Sequence, residues 1–242
     1  MTASNHPNGL VKLFGKIKNY KVTRTEASFV FTDADRTRLG VIAVAAGIVG
    51  LSGPAISAAS SAVGAEELAD YVEFNLHESS VKGWVWRSPF KEGDLVEIVA
   101  EWQGDHYEAI GIARPVDRII AMYPHCSRGR STHVRNALKW WIFSVTALLG
   151  LGSIFFWVGL GADQMHVFFT RIFPFVGLGS YTFFGLMTIS LARRWMPFVR
   201  LAQKVFVTLD WADPGNIDLV RSSKIKRKLD DPGEFGTFYF RY

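Results

Sequence analysis

Two long runs without a formal charge, close together near the C-terminal end, constrain the fold of this chain most. They cover residues 140–160 and 172–192. Because a helix needs about 20 mostly apolar residues to cross the hydrocarbon core of a bilayer, each run is long enough to do so. Only residues 161–171 separate the runs, so the second helix must turn straight back. The pattern predicts a transmembrane helical hairpin; the alternative is a buried helical hairpin in a soluble core.

Basic residues at the outer ends of both runs predict the orientation of this hairpin. Arg128, Arg130, Arg135 and Lys139 precede the first run, and Arg193, Arg194, Arg200 and Lys204 follow the second. Lysine and arginine beside a span favour the cytoplasmic side, and tryptophan favours the headgroup layer. We therefore expect both flanks in the cytoplasm. The predicted membrane-interface anchors are Lys139, Trp140, Trp141, Arg193, Arg194 and Trp195.

Arg171 is a basic residue on the other side of the predicted hairpin, just before the second run. A long arginine stem can reach the headgroups from the end of a span. The alternative interpretation is a functional ion or proton site, because charges inside membranes often serve transport.

Composition limits the cellular setting. The 242 residues carry a formal charge of +5 and one cysteine, Cys126, so an internal disulfide is excluded. Residues 1–16 lack the apolar core of a signal peptide. Basic clusters beside the membrane, and another at 224–228, favour anionic lipid over nucleic acid as the partner. We therefore expect the soluble part to remain in a reducing compartment.

A β-rich region precedes the hairpin. Val72, Phe74 and Leu76 alternate with Glu73 and Asn75, as in a half-buried strand. Strands are predicted at 13–22, 28–32, 71–77, 81–88, 95–102 and 106–112, with a turn at 23–27 and a terminal strand at 237–242. Short strands at even spacing predict a small antiparallel barrel or rolled sheet, OB- or SH3-like. Its aromatic residues form either the core or a ligand platform.

An uncharged insert rich in alanine, glycine and serine interrupts this region at 39–65. Ser52, Gly53 and Pro54 near its middle are typical of a turn. If the flanking strands share a sheet, both ends of the insert lie on the same side of a membrane. This favours a hairpin of two short helices over a single span or a packed soluble segment.

The sequence thus predicts an α+β membrane protein in five parts. N-terminal strands occupy 1–38, the helical insert 39–65, and the rest of the β module 66–127. The transmembrane hairpin lies within 128–195. Basic amphipathic helices at 194–209 and 216–229, the second capped by Asp213 or Asn216, precede the terminal strand in 196–242.

The segment 125–131, HCSRGRS, contains the candidate catalytic residues. A phosphatase loop needs an arginine six residues after its cysteine, but that position holds Thr132. A Cys126–His125 nucleophile pair and a metal site that also uses His133 remain alternatives. We predict no catalytic, cofactor or metal site, and interpret His125, Cys126, Arg128 and Arg130 as a basic interaction hinge. Glu101, Glu108 and Asp117 are interpreted as surface carboxylates.

Several distinctive strings resemble a known family. They are GKIKNY at 15–20, YVEF at 71–74, VKGWVWRSPFKEGD at 81–94, YPHCSRGR at 123–130 and PGEFGTFYFRY at 232–242. These strings are similar to those of Burkholderia-type membrane proteins described as effectors of the type VI secretion system. The similarity extends over nearly the whole chain. It implies a secretion context but no mechanism and no catalytic residues.

The resemblance and the apolar runs together predict a bacterial inner-membrane protein that acts without catalysis, on membranes through its hairpin. If the chain is secreted, the target-cell membrane is its site of action. The alternative is an immunity or adaptor protein that binds a secreted effector at the inner membrane. Expected partners are the lipid bilayer, a secretion component, a cognate effector or immunity protein, and further copies of the chain, but not nucleic acid.

Overall fold

The computed structural model describes residues 9–27, 29, 67–159 and 166–242, which form two compact units. One unit contains the described residues of 1–129 together with 197–242, and the other contains those of 130–196. The chain belongs to the α+β class. The predicted insert at 39–65, the strand at 28–32 apart from Phe29, and the residues 160–165 between the predicted spans lie outside the described residues.

Seven strands and three α-helices make up the described part of the chain. They are β1 (Leu10–Ala27), β2 (Glu67–Leu76), β3 (Ser79–Val85), β4 (Leu95–Trp102), β5 (Tyr107–Arg114), β6 (Ile119–Met122), α1 (Arg130–Gly159), α2 (Phe173–Thr208), α3 (Leu219–Ile225) and β7 (Phe240–Arg241). A π-helical turn, Phe168–Ile172, precedes α2.

Five of the strands close into a barrel. The first half of β1 pairs with β4 and its second half with β2, both antiparallel. β3 then pairs with β2 and, in parallel, with β5, which completes the ring β1-β2-β3-β5-β4. A Cβ on Gly83 would lie 2.4 Å from the carbonyl oxygen of Ala109. Glycine therefore permits the close β3–β5 contact that gives the OB-like barrel.

A bulge in β1 lets this one strand serve two partners. The register shifts between Lys18 and Lys21, and Asn19 has a φ of 55°. The backbone N–H groups of Asn19 and Tyr20 donate to the Glu92 carboxylate at 3.1 and 2.7 Å. Glu92 therefore satisfies donors that the bulge removes from the strand ladder.

The turn predicted at 23–27 is wrong. β1 continues through these residues, and Thr25 pairs with Ala69 in β2. Two β-branched residues, Thr23 and Thr25, favour this extended conformation. The short strand β6 was not predicted from the sequence; it lengthens the sheet from β5 and pairs with β7.

Apolar side chains pack on both faces of the barrel wall. Ile98 points into the interior cluster with Val72 and Phe74, whereas the next residue, Val99, belongs to the outer cluster. Phe206 and other residues from the last turns of α2 cover that outer face. Adjacent residues of β4 and β5 are therefore buried on opposite faces, which removes the simple inside–outside alternation.

The C-terminal helix α3 begins later than predicted. Asp218 caps it, because its side chain accepts a hydrogen bond from the N–H of Arg221 at 3.0 Å. The prediction of Asp213 or Asn216 as the cap is wrong, since α3 spans only Leu219–Ile225.

Candidate functional site

The predicted hinge is held by the C-terminal segment within the barrel unit. The N–H of Gly129 donates to the carbonyl of Ile217 at 2.9 Å, and the N–H of Leu219 donates to Ser127 at 3.0 Å. A Cβ on Gly129 would lie 2.2 Å from the carbonyl oxygen of Pro214. Glycine is therefore required where these two backbone segments meet.

Arg128 is part of the same attachment. Its Nε donates to Oδ2 of Asp218 at 3.2 Å, while Oδ1 of Asp218 caps α3. One carboxylate thus orders both the hinge and the helix that follows it. Arg130 is the exposed first residue of α1 in the hairpin unit.

Cys126 lies in an apolar environment that opposes nucleophilic chemistry. The residue is 1% exposed, and its thiol donates to the carbonyl of Phe198 at 3.4 Å. Burial raises the pKa of the Cys126 thiol well above its ordinary value. The neutral thiol is therefore favoured, although the attacking species in cysteine catalysis is the thiolate.

His125 contacts a carboxylate and two aromatic rings. Its Nε2 lies 3.1 Å from Oε2 of Glu67, and its ring packs edge-on against Trp86 and Phe198 at 4.8 and 5.1 Å. The backbone at His125 has a φ of 66°. Burial lowers the pKa of His125, and the charge of Glu67 opposes that shift. The Nε2 atom of His125 is therefore adjacent to the Glu67 carboxylate.

The β4–β5 turn carries a polar cluster that sequence reasoning missed. Nδ1 of His106 lies 2.6 Å from Oδ1 of Asp105, and its Nε2 lies 3.5 Å from Oε2 of Glu108. Glu108 is 2% exposed, so its interpretation as a surface carboxylate is wrong. Burial raises the pKa of Glu108, and the hydrogen bond from His106 opposes this shift.

Register explains why Glu108 lies among charged groups. Lys82 in β3 and Glu101 in β4 are its cross-strand neighbours. The carboxylate of Glu108 raises the pKa of His106 and is the largest influence on that pKa. The contact between His106 and Glu108 thus links the pKa values of these two side chains.

In the described part of the chain, no group of three or more His, Cys, Asp or Glu side chains has the arrangement of a metal site.

The hairpin unit brings three of the predicted anchors to one cleft. Trp140 and Trp141 of α1 and Trp195 of α2 line a cleft of about 530 Å³ between the helices. Nε2 of His133 lies 3.2 Å from the carbonyl oxygen of Ala192, which joins the helices at this end. The other predicted anchors flank these tryptophans in sequence and are exposed: Lys139, Arg193 and Arg194.

The outer surface of the hairpin is apolar and exposed within its own unit. Phe155 on α1 is 79% exposed and Phe175 on α2 is 76% exposed. The most apolar 18-residue window has 6% of its residues buried in the first helix and none in the second. Both helices are long and apolar enough to cross a membrane.

Arg171 lies in the π-helical turn before α2 and is exposed. The turn belongs to the same continuous helical stretch as α2. Its guanidinium is thus on the side of the hairpin away from Arg193 and Arg194.

Comparison with protein-family models, with curated proteins and with solved structures found no match for this chain. A functional assignment therefore depends on the geometry of the chain's own residues.

Proposed function

We propose that this chain is a bacterial inner-membrane protein of a secretion context, which acts on lipid bilayers without catalysis through the hairpin of α1 and α2. The exposed apolar surface of the hairpin carries this proposal. A contiguous apolar surface of this length is costly in water and is stabilised in hydrocarbon.

The lengths of the helices support a crossing. α1 has 30 residues. At 1.5 Å per residue it is roughly 45 Å long, whereas the hydrocarbon core is about 30 Å thick. The additional turns carry Arg130, Arg135 and Lys139, which suit the headgroup layer. On the charge rule, the outer ends of the hairpin and the barrel unit are cytoplasmic.

Expression in two compartments tests the activity on membranes. We expect the full chain to resist carbonate extraction and to slow growth and depolarise the membrane when it is directed to either the cytoplasm or the periplasm. If neither location slows growth or depolarises the cells, the proposal of a membrane-acting effector is wrong.

A charge placed on the lipid-facing surface provides a sharper comparison. Leu151 is 69% exposed near the middle of the first apolar run. Leu151→Arg should impair insertion, because arginine at the centre of a span costs roughly 2.5–3.5 kcal/mol. Val116→Arg is the matched control, since Val116 is 88% exposed in the β5–β6 turn. Equal membrane activity of the two variants would contradict a role for the hairpin.

An adaptor or immunity function is the second candidate, and the second half of β1 favours it. Residues 21–26 pair with β2 and with none of the other described strands, and they are exposed. Such an edge can receive an extended peptide by strand addition. Lys21, Arg24 and Glu26 limit unspecific pairing along it.

Co-expression with the product of an adjacent gene tests this second function. Val22 on β1 is 42% exposed, and Leu95 on β4 is 52% exposed. An adaptor should bind that product, and Val22→Asp should weaken the complex while Leu95→Asp leaves it unchanged. Equal binding by both variants would exclude the β1 edge as the contact.

A further inference from the structure

We propose that the cleft between α1 and α2 is a binding site for one anionic glycerophospholipid, with an acyl chain in the cleft and the phosphate at its cationic rim. The inference rests on the proposed membrane location of the hairpin, and deepens it by naming a lipid class and a site.

The shape and lining of the cleft suit a hydrocarbon chain. Its volume of about 530 Å³ falls within the range of about 300–1,000 Å³ that is usual for ligand sites. Ala137, Val145, Leu148 and Leu191 contribute apolar walls. Inside a bilayer, an open apolar cleft is filled by lipid unless protein covers it.

The two hydroxyl groups in the lining of the cleft bond back to their own helices, whereas the buried indole N–H of Trp141 has no hydrogen-bond acceptor among the described residues. The hydroxyl of Ser144 donates to the carbonyl of Trp140 at 2.5 Å, and that of Thr188 donates to Phe184 at 2.8 Å. Because these two hydroxyl donors are already used, Ser144 and Thr188 present mainly carbon atoms to an occupant.

Charge specifies the headgroup. Five basic residues lie in the sequence at the outer ends of the hairpin, and Asp163 is the only carboxylate residue among residues 130–196. The five are Arg130, Arg135, Lys139, Arg193 and Arg194. None of the five lines the cleft; Arg193 and Arg194 stand in the sequence between the lining residues Ala192 and Trp195, and Lys139 precedes the lining residue Trp140. Their side chains are exposed, and long basic side chains can reach the headgroup layer from the end of a span. A basic pocket between membrane helices on the cytoplasmic side is suited to an anionic headgroup.

The tryptophans place the phosphate at a defined depth. Trp140, Trp141 and Trp195 surround the same cleft, and tryptophan favours the headgroup layer. Cations at that level meet lipid phosphates, while Leu148 and Phe184 lie further along the helices towards the connection. The phosphate of a bound lipid would therefore lie near the tryptophans and the basic residues, and its acyl chain would lie near Leu148 and Phe184.

Native mass spectrometry of the full chain in detergent tests the site. Delipidated protein is titrated with an equal mixture of phosphatidylglycerol and phosphatidylcholine that carry the same acyl chains. We expect one phosphatidylglycerol per chain to be retained in preference to phosphatidylcholine. Equal retention of the two lipids would overturn the proposal, and so would a dimer without lipid, since a second copy then covers the cleft.

Matched alanine variants examine the cleft itself. Ala137 lines the cleft, whereas Ala147 on the same helix is exposed and outside the lining. Ala137→Phe should abolish the selective retention by filling the cleft, and Ala147→Phe should leave it unchanged. If Ala137→Phe binds phosphatidylglycerol as the unmodified chain does, the cleft is not the site.

Charge variants provide a second test that does not alter packing in the cleft. The double variant Arg193→Gln/Arg194→Gln should weaken phosphatidylglycerol binding by roughly 30-fold, because each cation contributes about 1 kcal/mol and tenfold is about 1.4 kcal/mol. Arg171→Gln, on the other side of the hairpin, should retain full binding. Equal effects of the two substitutions would overturn the proposed rim.

Carbonate extraction of the membranes from which the chain is purified separates the two proposals. A chain that carbonate releases from membranes contradicts the membrane location itself. A chain that resists carbonate but does not prefer phosphatidylglycerol retains the membrane function and contradicts only the lipid site.

Discussion

The hydroxyl of Tyr181 in α2 donates a hydrogen bond to the hydroxyl of Thr146 in α1, with 2.7 Å between the oxygen atoms. Tyr181 is assigned as the donor because the Thr146 hydroxyl donates its own proton to the carbonyl of Ile142 at 2.7 Å. Trp141 packs edge-on against the ring of Tyr181, with 5.8 Å between centroids. This polar contact between helices fixes their register where apolar packing alone is less specific.

Removing this contact should destabilise the hairpin slightly. Tyr181→Phe and Thr146→Val should each lower its free energy of unfolding by about 0.6 kcal/mol, the average for such bonds in membranes. The double variant should lose little more than either single variant. Unfolding in mixed detergent micelles measures this. Thr182→Val is the control, because the Thr182 hydroxyl bonds within α2 to Leu178. Additive losses would show that the two hydroxyls do not interact.

The polar cluster of the barrel should titrate as a unit. The hydrogen bond to Glu108 is the largest influence that raises the pKa of His106 above its ordinary value. Glu108→Gln should therefore lower the pKa of His106, measured from its ring-proton NMR shifts across pH. Asp105→Asn should lower this pKa less, because Asp105 is exposed to solvent screening. An unchanged His106 pKa in Glu108→Gln would contradict the contact.

This cluster also gives the barrel unit a pH-dependent stability with a defined sign. A raised folded-state pKa for His106 means that the folded state binds the extra proton more tightly than the unfolded state. The stabilisation is complete below the unfolded value of 6.5 and is lost as pH rises through the folded pKa. His106→Gln should remove this part of the pH dependence from thermal unfolding curves.

His125 should act in the opposite direction. Burial lowers its pKa, so its stabilising contribution is present above 6.5 and is lost as pH falls through the folded pKa. His125→Gln should flatten the acidic side of the stability profile. Glu67→Gln should lower the pKa of His125 further, because the Glu67 charge raises it. A rise of this pKa in Glu67→Gln would exclude the ion pair.

Cys126 should not react with thiol reagents while the barrel is folded. Burial raises the pKa of this thiol and closes access to it, and both effects slow alkylation. We expect maleimide labelling only after denaturation. The double variant Cys126→Ala/Glu78→Cys supplies an exposed thiol in the β2–β3 turn as the control. Labelling of native Cys126 as fast as this control would contradict its burial.

The hairpin was predictable because its signal is local. Two uncharged runs of sufficient length give two helices, whatever the rest of the chain does. The β module was predictable at the level of strands, since alternation such as that of Val72, Glu73 and Phe74 reports one buried face. The turn prediction at 23–27 failed because polar character alone does not define a turn; Thr23 and Thr25 are β-branched and pair with β2.

The polar sites were not predictable for a different reason. The sequence predicts a surface position for Glu108 because most glutamates are exposed, yet Glu108 is 2% exposed in β5, which pairs with both β3 and β4. Asp218 caps α3, which begins at Leu219, and its other carboxylate oxygen accepts from Arg128, which lies 90 residues earlier in the chain. The Arg128–Asp218 contact joins residues that are far apart in the sequence, so no local pattern predicts it.

The amino-acid sequence alone determined that the chain has an apolar helical pair and a β-rich module, since hydrophobic length and alternation are local properties of the chain. Only the tertiary structure decided that β3 and β5 close an OB-like barrel, that Cys126 is inaccessible, and that three tryptophans share one cleft. Each of these features depends on contacts between residues that are far apart in the sequence. Such contacts form only when the chain packs and excludes water from its interior.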